Sequence, residues 1–376
     1  MEKVKLLDVC DVYQPKNIAT KEFVIDGGYV VYGANGPIGR YTEYNHEESE
    51  ILMACRGATC GAINVSEPYS WINGNAMVVH PNGNVPLMKK YLMYFLMFAN
   101  KESIITGTAQ PQITRQNMRE FEIVICSEEE QKSIVTRIDE LFSELDNGVE
   151  TLRKTKQQLV VYRQAVLKDA FESCDNKVEQ QFGETLVEKP RNGYSPKGVD
   201  FQTKYRNLTL SATTSGSFKE DCFKYIDIDI SDDSYLWVKR NDILIQRANT
   251  IEYVGTAVLY QGEDDQYVYP DLMMKCHAKE GIIPQFLVYQ LQSANCKKHF
   301  RNNATGTSGS MPKINQKTVM NAPIIMVPYE DQKRIVAEIE ARLSVYDSIE
   351  QTVNTALQQA EAMRQSILKQ AFEGKL

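Results

Sequence analysis

Two stretches of this 376-residue chain gather cations, amides and hydroxyls without a single carboxylate. Residues 103–119 carry Arg115 and Arg119 with Thr106, Thr108, Gln110, Gln112, Thr114, Gln116 and Asn117. Residues 281–329 carry Lys297, Lys298, Arg301, Lys313 and Lys317 with Asn302, Asn303, Thr305, Thr307, Ser308, Ser310, Asn315 and Gln316. Cationic side chains pair with phosphate oxygens, and amides and hydroxyls bond base edges, so this mixture suits double-stranded DNA. Acidic residues collect elsewhere, at 43–50, 220–233 and 263–265, where they would repel a duplex. The net charge of −7 argues weakly against a nucleic-acid partner, so the segregation of sign is the informative feature.

Catalytic signatures are missing. There is no Gly-x-x-x-x-Gly-Lys-Ser/Thr loop, and Gly33, Gly36 and Gly39 have the wrong spacing for a dinucleotide fingerprint, which makes them turn glycines. No Gly-x-Ser-x-Gly elbow occurs, nor the Asn-Pro-Pro-aromatic tetrapeptide of DNA amino-methyltransferases. Cys55 and Cys60 lack the Cys-x-x-Cys spacing of a zinc knuckle, so no metal is expected. His46, His80, His277 and His299 read as polar surface or DNA-proximal groups. The composition, 43% hydrophobic and 24% charged, is that of a globular protein. The N-terminus lacks a signal-peptide core, no apolar run is long enough for a membrane span, and the eight cysteines show no disulfide framework. A soluble, cytoplasmic protein with no membrane partner is expected.

The candidate DNA-facing stretches precede two copies of one helical segment. Residues 127–172 and 328–373 align without a gap at an offset of 201, with 18 identities in 46 positions. Ile138, Leu145, Leu152, Leu159 and Val166 fall every seven residues in the first copy, flanked by Phe142 and Val149. Ile339, Tyr346, Val353, Ala360 and Ile367 form the same row in the second, flanked by Leu343 and Leu357. A sustained seven-residue row predicts a coiled-coil seam, here between two helices of roughly 65 Å that pair antiparallel. Lys156, Arg163, Glu350 and Arg364 interrupt the flanking rows. Ser127 and Glu130 form a capping box at the first start, and Pro328, Glu330 and Asp331 suit the second. The expected class is α+β: two β-rich globular domains, 1–126 and 174–327, alternate with two long helices, 127–173 and 328–376, in a pseudo-twofold repeat. Each domain has one apolar helix candidate, at 87–100 and 284–300.

This order resembles the specificity subunit of Type I restriction-modification systems. Glu130-Gln131 and Asp331-Gln332 resemble that family's Glu-Gln helix starts, and Ala170-Phe171-Glu172 and Ala371-Phe372-Glu373-Gly374-Lys375-Leu376 its helix endings. Residues 32–39 and 51–61 are similar to segments of its target-recognition domains. Asp242-Ile243-Leu244-Ile245-Gln246-Arg247 resembles Gly-Asp-Ile-Leu-x-x-Arg, with Asn241 in place of the glycine. The resemblance covers nearly the whole chain. It implies a non-catalytic subunit in which each globular domain reads half of a bipartite, asymmetric DNA target. It also implies helices that set the gap and bind two methyltransferase subunits. S-adenosylmethionine, ATP and magnesium would be used by those partners and by restriction-translocase subunits, with no cofactor on this chain.

Within that reading, Asn35, Arg56, Gln110 and Gln112 in the first domain and Arg247, Asn249, Asn302 and Asn303 in the second are the candidates for base readout. Arginine pairs bidentately with guanine, and asparagine or glutamine with adenine. Arg40, Arg115, Arg191, Arg206, Lys297, Lys298, Arg301, Lys313 and Lys317 are the candidates for phosphate. Two other classes make different predictions. A stand-alone nucleic-acid enzyme would act without partners, and a coiled-coil scaffold with two ligand-binding domains would bind independently of salt.

Overall fold

The strongest strand-forming runs become the central strands of the largest sheets. A computed structural model describes residues 2–107, 110–173, 176–306 and 311–376, so Thr108, Thr307, Ser308 and Ser310 lie outside the described residues. The chain divides into two compact units, Met1–Arg153 with Asn354–Leu376, and Lys154–Val353.

In unit one the chain runs β1 (Glu2–Lys5), α1 (Leu6–Val9), β2 (Cys10–Tyr13), β3 (Tyr29–Gly33), β4 (Gly36–Tyr41), β5 (Ile51–Ala54), β6 (Ile63–Val65), β7 (Trp71–Ile72), β8 (Ala76–Pro81), α2 (Lys89–Phe98), β9 (Glu122–Ile125) and into α3 (Glu128–Glu172). A four-stranded antiparallel sheet has the order β2-β8-β5-β6, and every residue of β5 is buried. A three-stranded sheet β4-β3-β7 and a two-stranded pair β1-β9 complete the unit.

Unit two takes up the end of α3 and continues β10 (Val178–Gln181), β11 (Arg191–Asn192), β12 (Gly198–Val199), β13 (Tyr205–Leu208), β14 (Phe223–Ile226), β15 (Ile243–Gln246), β16 (Ala257–Leu259), β17 (Met273–Cys276), α4 (Pro284–Leu291), α5 (Ala294–Asn302), α6 (Gln316–Met320), β18 (Pro323–Met326) and α7 (Tyr329–Phe372). Its sheets repeat the inventory: four strands β11-β17-β15-β16, three strands β12-β14-β13, and the pair β10-β18. β15 is fully buried like β5. The three-stranded sheets differ, since β3 and β7 run parallel whereas β12, β13 and β14 are antiparallel. The expected helix over 284–300 is two helices. Ser293 starts the second by accepting from the Cys296 amide, and the Gln292 side chain is drawn off to the Gly216 and Ala257 carbonyls.

The heptad rows are the packed faces. In unit one Val135, Ile138 and Phe142 from the start of α3 meet Ile367, Leu368 and Ala371 from the end of α7. In unit two Leu159, Val166, Leu167 and Ala170 from the end of α3 share a core with Ile335, Ile339, Leu343 and Tyr346 from the start of α7. Start meets end in both, so the pairing is antiparallel. Two of the charged interruptions are cross-helix contacts. The Arg163 guanidinium lies 5.6 Å from the Tyr346 ring centroid, and that of its repeat equivalent Arg364 lies 4.7 Å from Phe142.

The helix endings fasten the globular parts. Phe372 packs on Tyr91, Phe95 and Phe98 of unit one at centroid separations of 5.3–5.5 Å, and Phe171 packs on Phe286 of unit two at 5.8 Å. Phe372→Ala should therefore destabilise the N-terminal domain by about 2–3 kcal/mol, below the cost of a fully buried ring. Urea unfolding followed by Trp71 fluorescence in unit one checks this, and an unchanged midpoint would contradict it. Asn241 has φ +70°, the left-handed region that favours glycine and tolerates asparagine, so its backbone suits the position where the resembled motif has glycine.

Candidate nucleic-acid interface

Each unit folds one acid-free stretch against the end of its central strand. In unit one β5 runs on into Cys55-Arg56-Gly57, which pairs with residues 111–113. The Gly57 amide donates to the Pro111 carbonyl and the Ile113 amide to the Cys55 carbonyl, both at 3.0 Å. Across its other edge Gln112 exchanges backbone hydrogen bonds with Thr106 at 2.8 and 2.9 Å. Arg56, Gln112 and Thr106 thus form one row across a three-stranded ribbon. In unit two β15 runs on into Arg247-Ala248-Asn249. The Asn249 amide donates to the Pro312 carbonyl (3.3 Å), the Ile314 amide to the Arg247 carbonyl (2.9 Å), and Lys313 and Thr305 exchange bonds at 2.8 Å. The matching row is Ala248, Lys313 and Thr305. The Thr106 hydroxyl lies 3.4 Å from the Gln112 carbonyl, and that of Thr305 lies 3.3 Å from the Lys313 carbonyl. Bridge partners share a face of the ribbon; Arg56, Gln112 and Thr106 are all exposed, whereas in the second row Lys313 and Thr305 are exposed and Ala248 is buried.

The segments after the ribbons are anchored alike. Asn117 and Thr114 bond one another before a turn that buries Met118, and Asn315 accepts the Thr318 amide at 2.9 Å before the helix that buries Val319. The ribbons thereby hang from rigid cores.

The candidates divide by whether their polar groups are already used. Arg56, Gln110, Gln112 and Arg115 are exposed and, among the described residues, make no side-chain hydrogen bond or ion pair; the same holds for Lys298, Asn302, Lys313 and Lys317. The rest are committed locally. Arg40 donates to the Gly27 and Gly28 carbonyls at 2.6 and 2.8 Å, and Asn35 accepts from Thr59 at 2.6 Å. Arg191 pairs with Glu188 at 2.8 Å and lies over Tyr235, while Arg206 lies over Phe223. Asn249 donates to Gln246 at 2.7 Å, Asn303 to the His299 carbonyl at 2.8 Å and Arg301 to the Glu252 carbonyl at 3.5 Å. Arg247 reaches the Asp271 carbonyl at 3.4 Å, and strand alternation turns it to the opposite face from the Lys313 row. Half-buried Lys297 lines a cleft of about 1290 Å³ with Lys156 and Arg163 rather than joining the ribbon. Burial, then the nearby Arg163 and Arg301 charges, hold its ammonium below the usual lysine range.

The four histidines, expected as polar surface or DNA-proximal groups, all have internal partners, and the His80 and His277 side chains stay 37% and 50% exposed. His80 Nδ1 lies 2.9 Å from buried Glu50, which also has Lys89 Nζ at 3.5 Å. His277 Nδ1 lies 3.1 Å from buried Asp242, which also has Lys275 Nζ at 3.4 Å. Glu50 and Asp242 immediately precede β5 and β15, so these equivalent clusters sit at the other end of the central strands from the ribbons. His46 pairs with the Tyr13 hydroxyl and His299 with the Thr318 carbonyl, both at 2.9 Å.

Sequence reasoning also missed the work of the two helix-start glutamines. Gln131 accepts the Met88 amide at 2.8 Å and donates to the Pro86 and Cys126 carbonyls at 2.9 Å. Gln332 accepts the Ile283 amide at 2.9 Å and donates to the Val327 carbonyl at 3.0 Å. Each buried amide ties the long helix to the residue that immediately precedes the unit's apolar helix. The signal was their shared place in the repeat. Among the described residues no group of three or more His, Cys, Asp or Glu is placed to hold a metal ion, and no helix is long and apolar enough to cross a membrane.

Known proteins share this organisation. Residues 1–158 and 191–359 match the family model of the Type I restriction modification DNA specificity domain. The chain is 26% identical to the StySPI specificity subunit of Salmonella potsdam, over 97% of this chain and 78% of that protein. It is 25% identical to the EcoKI specificity subunit of Escherichia coli K12, over 66% of this chain and 56% of that protein, so that match spans little more than half of the relative's length. A chain in a solved structure concerned with complex assembly and conformational transition of the type I R-M system superposes with a TM-score of 0.68. That match has 15% identity and covers 100% of this chain and 98% of that one, a likeness of fold. Two copies of one β-rich scaffold, each presenting a carboxylate-free ribbon and tied to a shared helical repeat, together with a family match over most of its length, place this chain in the DNA specificity family of Type I restriction-modification systems.

Proposed function

We propose that this subunit reads a bipartite, asymmetric DNA target, one half-site for each of the domains 1–126 and 174–327, and brings two methyltransferase subunits to it through the helices 127–173 and 328–376. The observation that carries the reading is the duplicated ribbon: the same backbone scaffold carries Arg56-Gln112-Thr106 in one unit and Ala248-Lys313-Thr305 in the other. One scaffold with two side-chain rows predicts two different half-sites. The uncommitted cations Arg115, Lys298 and Lys317 supply phosphate contacts beside the rows. Val160, Val161 and Tyr162 on α3 and Val345 and Ile349 on α7 are apolar yet 41–70% exposed, which supports a protein partner on the helices. The partners carry the chemistry with S-adenosylmethionine, and with ATP and magnesium where restriction-translocase subunits join, in the cytoplasm where the DNA lies.

Duplex affinity of the full chain, measured across a series of salt concentrations, tests the contacts. Log affinity should fall linearly with log salt. Lys298→Gln and Lys317→Gln should each reduce the slope by about one, with little change in sequence preference. A salt-independent affinity would contradict the reading and favour the scaffold alternative.

A further inference from the structure

The two rows are built to read different base pairs. Arg56 and Gln112 face one another with hydrogen bonds flanking them rather than joining them, from Gly57 to Pro111 and from Ile113 to Cys55. That geometry is the close type of antiparallel pair, with Cα atoms about 4.5 Å apart. Successive base pairs are stacked about 3.4 Å apart. Two side chains held this closely on one ribbon face therefore reach the same or neighbouring base pairs. Both are exposed, and neither is engaged by another described residue. Arginine matches the O6 and N7 acceptors of guanine, and the glutamine amide matches the N6 donor and N7 acceptor of adenine.

In unit two Lys313 occupies the position of Gln112, and Ala248 occupies that of Arg56. Ala248 is fully buried, so this row has no second long polar side chain. A lysine supplies donors only and fits the guanine acceptors; it has no acceptor for the adenine amino group.

We infer that Arg56 and Gln112 are specificity-determining residues for adjacent G·C and A·T pairs in one half-site, and that Lys313 specifies a single G·C pair in the other. The assignment rests on the DNA-recognition reading above and adds base identity to it. Selection from a randomised duplex library tests it, using the full chain with the subunits that co-purify with it, at fixed salt. The wild type should enrich two separated half-sites, one with G·C beside A·T. Arg56→Ala should relax that G·C position on the order of tenfold or more, leaving its neighbour and the other half-site unchanged. Gln112→Ala should relax the adjoining A·T position. Lys313→Gln should replace a G·C preference with A·T in the other half-site only. Arg56→Lys, which keeps the charge, should hold overall affinity while narrowing the preference for guanine. Uniform weakening by Arg56→Ala across all sequences would overturn the assignment, as would relaxed positions separated by more than one step. Absence of any enriched motif with the wild type would instead overturn the underlying DNA reading.

Discussion

Gln131→Ala is expected to lower the stability of unit one by about 3 kcal/mol, far more than any change at the exposed ribbon. The side chain is fully buried, and its loss strands the Met88 amide and the Pro86 and Cys126 carbonyls. A buried backbone group left without its partner costs about 1–3 kcal/mol, and partial relaxation brings the sum below three full penalties. For a unit of this size the melting point should fall by roughly 6–12 °C. Gln332→Ala strands the Ile283 amide and the Val327 carbonyl and should cost unit two about 2 kcal/mol. Calorimetry of the full chain checks both, since each variant should move the transition of its own unit. Shifts of less than a degree would show that the glutamines do not brace the helices.

Asp242→Ala is expected to cost unit two about 3–5 kcal/mol. The carboxylate accepts the Lys239 amide at 2.7 Å and faces Lys275 and His277. Its side chain is 4% exposed and that of Lys275 is 14% exposed. Removing one member of such a pair leaves a buried charge without its counterion. Lys275→Met alongside Asp242→Ala should recover much of the loss, because the stranded ammonium goes too. Denaturant unfolding of the single and double variants measures the coupling; a double variant as unstable as the sum would contradict it. Glu50 holds the equivalent place against Lys89 and His80 and should respond in the same direction.

The parts legible in the sequence were those that repeat at a constant offset. The heptad rows, the capping box of Ser127 with Glu130 and the aromatic endings Phe171 and Phe372 all recur or declare themselves locally, and each packs where the pattern places it. Gln112 and Lys313 keep the 201-residue offset, in Pro111-Gln112-Ile113 and Pro312-Lys313-Ile314. Their strand partners do not: Arg56 and Ala248 are 192 residues apart, because the chain between the central strand and its ribbon partner spans 56 residues in one unit and 65 in the other. The long-range pairing that makes a row is a tertiary fact that no local period records. The same holds for Glu50 with His80 and Asp242 with His277, which are 30 and 35 residues apart in sequence and neighbours only across the sheet. The likeness of the two globular domains was hidden because their shared strands keep burial but not residue identity, as Ile51-Leu52-Met53-Ala54 and Ile243-Leu244-Ile245-Gln246 illustrate.

Mapping adenine methylation in host DNA with this chain present and with it deleted tests its role most directly. Loss of one motif with two unlike halves and a fixed gap is the predicted result, since one scaffold presents two unlike rows. An unchanged methylation map, with the chain expressed and bound to a methyltransferase subunit, would contradict a target-specifying role.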